Sequence, residues 1–283
     1  MAGSKKNNRK LSVIIITLML CCVTVVVLFP LYYLFLGSFT DVSRLFSDGI
    51  SLLPRPQNMG FFNYVATFNF SDGVYLHWYK NSVLMMLLFT AGALFLTSMV
   101  GYGLGAYQFR GRNLVFVLVL IVMMIPIEIL MLPLYSLVVK WKIINTKAGV
   151  ILPFVVAASS VFFFRQYTSG LPLELMDAGR IDGATEFGIF YRIMVPLMRP
   201  AFGAMTILMA MTSWNQFVWP LIVLRENRNF TLPIGLASLI TPYGNYYELM
   251  LAGACLAVLP VIIIFLFNQR SFVSGLAAGG IKG

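Results

Sequence analysis

Six stretches of this 283-residue chain run almost without charge: 11–40, 81–109, 113–139, 148–164, 200–224 and 249–269. Of the 20 Lys and Arg and 10 Asp and Glu residues, Glu128 alone falls inside them. A helix needs roughly 20 apolar residues to cross about 30 Å of hydrocarbon, and only helices or closed barrels satisfy their backbone there. A barrel needs short segments of alternating polarity, whereas 11–36 and 116–124 are apolar on every face, so that alternative falls. The stretches therefore predict an all-α integral membrane protein with six transmembrane helices, at 11–36, 81–106, 114–139, 148–167, 201–224 and 250–269, in a single domain, 1–283. With 11% charged residues and a mean hydropathy of +0.86, the chain is unlike a soluble enzyme, in which about 25% of residues are charged. The first stretch is too long for a cleaved signal peptide and no small-x-small cleavage site follows it, so it is read as a retained span.

Lys and Arg placement sets the orientation. With the amino terminus inside, twelve of the 20 are cytoplasmic: Lys5, Lys6, Arg9, Lys10, Arg110, Arg112, Arg165, Arg180, Arg192, Arg199, Arg270 and Lys282. Six spans then place both termini inside. Lys140, Lys142 and Lys147 run against the rule, crowding one short outer loop without an acid. The net charge of +10 is scattered over loops and serves topology and contact with membrane lipid rather than nucleic acid, which is not an expected partner. Cys21, Cys22 and Cys255 lie in spans, where an apolar packing role is expected and no disulfide framework is implied.

Catalytic signatures are absent from the sequence. His77 is the only histidine, Gly-Lys never occurs, and so neither a histidine-pair zinc site nor a phosphate-binding P-loop can form. No catalytic or metal-binding residue is assigned, and the chain is not expected to hydrolyse ATP. His77, beside Trp78 and Tyr79, reads as part of an interfacial aromatic belt. Val100-Gly101-Tyr102-Gly103 matches the core of a potassium-channel filter, but it ends an apolar window at the inner face, and Gly101 with Gly105 reads instead as a small-xxx-small packing face.

The inner loop from Arg165 to Arg199 is the most informative segment. Phe190, Ile193, Met194 and Leu197 recur at helical spacing, and Pro196 and Pro200 close the segment. A short helix precedes it, with Pro172 at its start, Glu174 and Asp177 near its positive end, and Gly183 as its stop. Gly179 and Gly183 stack at i, i+4 beside Ala178, leaving a face without side-chain bulk flanked by Asp177, Arg180 and Asp182. Such a face either admits another protein or lies under its own neighbours.

Leu171-Pro172-Leu173-Glu174-Leu175-Met176-Asp177-Ala178-Gly179-Arg180-Ile181-Asp182-Gly183-Ala184, with Ile193-Met194-Val195-Pro196 downstream, closely resembles the "EAA" loop of ABC importer permeases. Asp177, Ala178 and Gly179 stand at the Glu-Ala-Ala positions, Gly183 at the motif glycine and Ile193 to Pro196 at its close; Asp for Glu, Gly for Ala and Val for Leu are the departures. Leu28 to Tyr32 with Ser38-Phe39-Thr40, Tyr107 to Arg112, Ile125-Pro126 to Tyr135, Trp214 to Pro220, and Gln269-Arg270 with the glycine-rich tail resemble the carbohydrate branch, the maltose and glycerol-phosphate type, and its second, shorter permease subunit.

The resemblance implies a type I importer (MetI-like) permease fold in the cytoplasmic membrane of a prokaryote. It further implies a homologous second permease subunit as partner, two ATPase subunits holding the ATP and magnesium that this chain does not bind, and an extracytoplasmic substrate-binding protein delivering a carbohydrate substrate. Glu174, Asp177, Ala178, Gly179, Arg180, Asp182 and Gly183 would form the coupling helix lodged in an ATPase groove.

Along a translocation path, Glu128 is costly inside a span and is expected to face the bundle interior, either as a functional group or as a hydrogen bond to a partner subunit. Pro126 and Pro133 would each break the helix around it. Asn215 and Gln216, beside Trp214 and Trp219, offer amides and aromatic faces to a sugar; polar glue between helices is the competing account. Tyr243, Asn245, Tyr246 and Tyr247, and the segment from Asp41 to Lys80, are candidates for binding-protein contact. A secondary transporter would show repeated broken helices in its two halves, and an intramembrane enzyme would need an acid and a base that Glu128 alone cannot supply.

Overall fold

A computed structural model describes the backbone of residues 2–42, 53, 55–241 and 244–280, and the side chains of residues 10, 12–42, 53, 55–240 and 246–269. In chain order its elements are α1 (Ala2–Phe39), α2 (Phe62–Asn69), α3 (Val74–Ala106), α4 (Arg112–Met124), α5 (Ile127–Lys140), α6 (Lys147–Ile151), α7 (Ala158–Thr168) and α8 (Glu174–Ile181). Then come α9 (Glu186–Leu197, with a π turn at Phe190–Met194), α10 (Arg199–Trp214), α11 (Val218–Val223), α12 (Leu232–Ala237), β1 (Ile240–Thr241), β2 (Gly244–Asn245) and α13 (Tyr247–Gly280). The strands form one two-residue antiparallel ladder, Ile240 opposite Asn245 and Thr241 opposite Gly244, and among the described residues an isolated bridge joins Thr40 and Met59. Two units emerge, residues 1–73 with 238–257, and residues 74–237 with 258–283.

In the first unit, α1 is apolar on all sides and its segment Ser12–Phe39 is wholly exposed over its most apolar stretch. Cys21 and Cys22 are exposed there and Cys255 is half-buried. The carbonyls at its end are collected by Asn63 of α2, whose Nδ2 donates to Ser38 O at 3.0 Å and Thr40 O at 2.9 Å, while Ser38 Oγ and Tyr64 Oη share a 2.7 Å hydrogen bond. Tyr246 packs on Phe70 with ring centroids 5.2 Å apart, and both it and Tyr247 are exposed. Tyr243 and the side chain of Asn245 lie outside the described residues, as do most of 43–54.

The second unit is organised on α3. Lipid offers no hydrophobic drive between helices, so close approach through small residues supplies the packing. A Cβ on Gly101 would stand 2.5 Å from Phe164 Cβ, and one on Gly105 2.8 Å from Thr168 Cβ, so these glycines let α7 lie directly against α3. The Val100–Gly103 string is thus continuous helix with a buried contact face. Phe89, Ala93, Phe164, Met198, Ala201, Met205 and Met209 make the core shared by α3, α7 and α10.

At its other end, α3 begins at Val74, well before the charge-free window. Trp78 is 1% exposed, lies across Gly235 of α12 and donates Nε1 to Asn227 O at 2.8 Å; Tyr79 meets Trp214 edge-on at 5.9 Å. Trp78 is core rather than part of an interfacial belt, Tyr79 is half-buried and His77 is exposed.

Three helices, α1, α3 and α13, are long and apolar enough to cross a membrane as single rods, and the count reaches five when bent pairs are taken as spans. The third window is such a pair. α4 and α5 meet at 102°, and the break is at Pro126, which is extended with φ −60° and ψ 131°. Pro133 does not break the chain as expected: it sits inside α5, which continues through it. The fourth window, 148–167, is not one helix but α6 and α7 separated by non-helical residues 152–157, so six uninterrupted spans are not observed.

A loop helix and a membrane cavity

The helix expected to couple is α8. Glu174 and Asp177 occupy its first turn, where carboxylates complement the helix dipole, and Arg180 lies in its last. Its end is a Schellman turn: Gly183, at φ +77°, donates its N–H to Arg180 O at 3.0 Å, and Ala184 N–H reaches back to Gly179 O at 2.9 Å. That left-handed residue favours glycine by roughly 1 kcal/mol or more.

Met176 and Gly179 are the buried positions of α8. A Cβ on Gly179 would come within 2.7 Å of Ile193 Cδ1 and 3.2 Å of Ile189 Cγ1, so α9 fills the notch. The bare face predicted from Gly179 and Gly183 therefore does not exist as a single surface. Gly179 looks inward under its own neighbours, and Gly183 sits beyond the helix in open space. The exposed face is Leu175, Ala178, Ile181 and Asp182, with Ile181 87% exposed. Next to it Phe187 and Tyr191 are exposed, bordering a pocket of about 490 Å³ that Gly183, Thr185 and Arg192 help to line.

A polar relay ties this helix to α3. Arg180 Nη1 donates to Asp177 Oδ1 at 2.6 Å and its Nε to Glu186 Oε1 at 2.8 Å. Tyr107, just past α3, donates its hydroxyl to Glu186 Oε2 and contacts the hydroxyl of Tyr102, which in turn meets Met176 Sδ at 3.7 Å. Arg180, then Tyr107, hold the Glu186 carboxyl below the usual carboxylate range, while burial and then Glu186 push the Tyr107 phenol up, so both keep these roles at neutral pH. Beneath them Tyr102, Met176, Ile189, Phe190 and Met194 form one core cluster. Glu186 and this use of Tyr107 escaped the sequence reading; Thr185 capping Gly188 N at 3.1 Å was the available signal for a helix start there.

Within the membrane segments, a cavity of about 670 Å³ gathers Glu128, Gln216, Phe217, Trp219, Thr212 and Ser159 among its lining residues. Glu128 reaches it because the Pro126 break puts it on the first turn of α5. The structure thus joins Glu128 with Gln216 and separates them from Trp214, which is 5% exposed in the core, and from Asn215, an exposed C-cap donating its N–H to Met211 O at 3.0 Å. Phe217 and Trp219 line this cavity with Glu128 and Gln216, and Trp214 and Asn215 are not among its lining residues.

The structure thus holds a set of apolar helices with a short loop helix tied to the end of α3. The chain belongs to the family of binding-protein-dependent transport system inner membrane components, whose profile matches residues 97–272. It is 55% identical to the arabinooligosaccharides transport system permease protein AraQ of Bacillus subtilis, over 90% of this chain and 91% of that one. It is 32% identical to the lactose transport system permease protein LacG of Rhizobium radiobacter, over 90% and 91%, and 30% identical to the sn-glycerol-3-phosphate permease UgpE of Yersinia pestis, over 88% and 90%. A bacterial ABC transporter involved in the import of the acidic polysaccharide alginate shares the fold, with a TM-score of 0.81 at 20% identity over 92% of this chain and 95% of its own.

Proposed function

We propose that this chain is a permease subunit of a binding-protein-dependent ABC importer that carries a sugar or oligosaccharide into the cytoplasm. The relatives named for arabinooligosaccharide and lactose transport support the substrate class. The observation that carries the mechanism is α8: an outward face of Leu175, Ala178 and Ile181 for an ATPase subunit, and an inward face packed on α9 and touched by Tyr102 of α3. A homologous second permease, two ATPase subunits and an extracytoplasmic binding protein complete the assembly, in a prokaryotic cytoplasmic membrane with both termini inside. ATP and magnesium bind in the ATPases; this chain contributes no catalytic group. With α1, α3 and α13, the broken third window, the α6–α7 pair and α10 each count as one crossing, giving six.

Closure of the ATPase dimer would draw the coupling helices together and swing α3 with them. Taking an inward to outward equilibrium from 1:99 to 99:1 needs about 5.5 kcal/mol of differential binding, which nucleotide in the partners supplies. Substrate passes the cavity holding Glu128, Gln216, Phe217 and Trp219, where amide and carboxylate meet hydroxyls and rings meet C–H surfaces. Gly183→Trp tests the coupling role. Nothing stands within 4 Å of its Cβ, so the subunit folds with a strained turn while the docking edge is obstructed. ATP hydrolysis should continue in reconstituted complex while uptake falls; unchanged uptake would refute the assignment.

A further inference from the structure

The lysines that defy the orientation rule acquire a reason in the structure. Lys140 ends α5, Lys142 follows at φ +57° and Lys147 opens α6. Between them Asn145 clamps a second loop: its N–H donates to Val223 O at 2.9 Å, and its Oδ1 accepts from Arg225 N at 3.0 Å and Glu226 N at 3.3 Å. Arg225 Nη2 donates to Tyr135 Oη on α5. From α3, Trp78 holds Asn227 O, and Asn81 Nδ2 holds Arg228 O at 2.8 Å. Two loops remote in sequence thus form one fixed platform.

Lys140, Lys142, Arg225 and Arg228 are exposed on it and Lys147 is half-buried, while Glu226 is the one acid of the two loops and already accepts from Asn229 Nδ2 at 3.3 Å. Among the described residues no carboxylate forms an ion pair with any of the five cations. The platform is held at the start of α3 and the coupling helix at its end, about 50 Å apart for a 33-residue helix. It therefore faces away from the ATPases. An uncompensated, pre-ordered cationic surface at that position fits a partner with an acidic face, and such charge acts on encounter rate and register.

We infer that the 140–147 and 225–229 loops form a basic docking platform for an acidic surface of the extracytoplasmic substrate-binding protein. This rests on the importer reading above.

The test titrates the purified sugar-binding protein of this importer against the reconstituted complex, reading stimulated ATP hydrolysis. With Lys140→Glu, Lys142→Glu and Lys147→Glu combined, the binding-protein concentration for half-maximal stimulation should rise at least tenfold, with the saturating rate retained. The milder Lys→Gln set, which leaves the loops free of new acids, should shift it several-fold, and salt raised from about 0.05 to about 0.3 M should weaken the wild type more than either variant. Unchanged half-saturation in both variants would overturn the platform. So would variants whose only loss is binding to vesicles of anionic lipid, since the occupant would then be a headgroup. Absence of any stimulation in the wild type would instead overturn the importer reading, and the platform with it.

Discussion

Single residues decide how the loop helix can work. Ile181 touches solvent over 87% of its surface, so Ile181→Asp should leave thermal stability unchanged yet abolish ATPase-driven uptake; a matching loss of stability would show that it packs within this chain. Gly179→Leu should act the other way, because a side chain there meets Ile193 at 2.7 Å: overpacking of about 1–3 kcal/mol, read as a lowered unfolding temperature of the solubilised complex. Tyr107→Phe removes the hydroxyl between α3 and Glu186 and should raise ATP hydrolysed per sugar transported roughly fivefold. Because the Glu186 carboxyl is held low, its bridge contributes above the ordinary carboxylate range and is lost as pH falls below it. Coupling should therefore be flat between about pH 6 and 8, and a fall within that window would implicate another group.

At the scale of elements, α3 and α7 are joined by glycines that differ sharply along one helix. Gly101→Leu forces a side chain into Phe164 and the Arg165 backbone and should prevent assembly, whereas Gly103, with nothing within 4 Å of its Cβ, should accept leucine. Assembled complex on size-exclusion chromatography separates the two. The small-xxx-small face, the span regions and the Gly183 stop were legible in the sequence because each rests on local chemistry: apolar length, absent bulk, a left-handed turn. Between the two readings of the small face of α8, periodicity places Gly179 and Gly183 on one side but does not say which neighbour covers it; at Gly179, Ile189 and Ile193 do. Which of the predicted path residues line the cavity is set the same way, by a neighbouring turn. Trp214 and Gln216 are two residues apart, and the C-cap at Asn215 sends one into the core and the other to the cavity. Pro126 and Pro133 looked alike in sequence, yet only Pro126 lies where the chain turns through 102°.

At the scale of the whole molecule, α3 touches the cationic loops at one end and the loop helix at the other. Its start carries the cationic platform and its end the Tyr102 and Tyr107 contacts to the loop helix, with the Glu128 cavity lined from the same helix by Phe89. Glu128→Gln keeps the shape of that cavity and removes its charge. It should lower uptake while leaving ATPase assembly intact; unaltered uptake would reassign Glu128 to a contact with the second permease. The central claim is that the outward face of α8 is an ATPase contact, and cysteine accessibility tests it most directly. Ala178→Cys, with Cys21, Cys22 and Cys255 replaced by Ser, is treated with a membrane-impermeant maleimide in the intact complex and after the ATPase subunits are stripped away. The account predicts protection in the complex and rapid labelling once they are gone. Equal labelling in both states would contradict it.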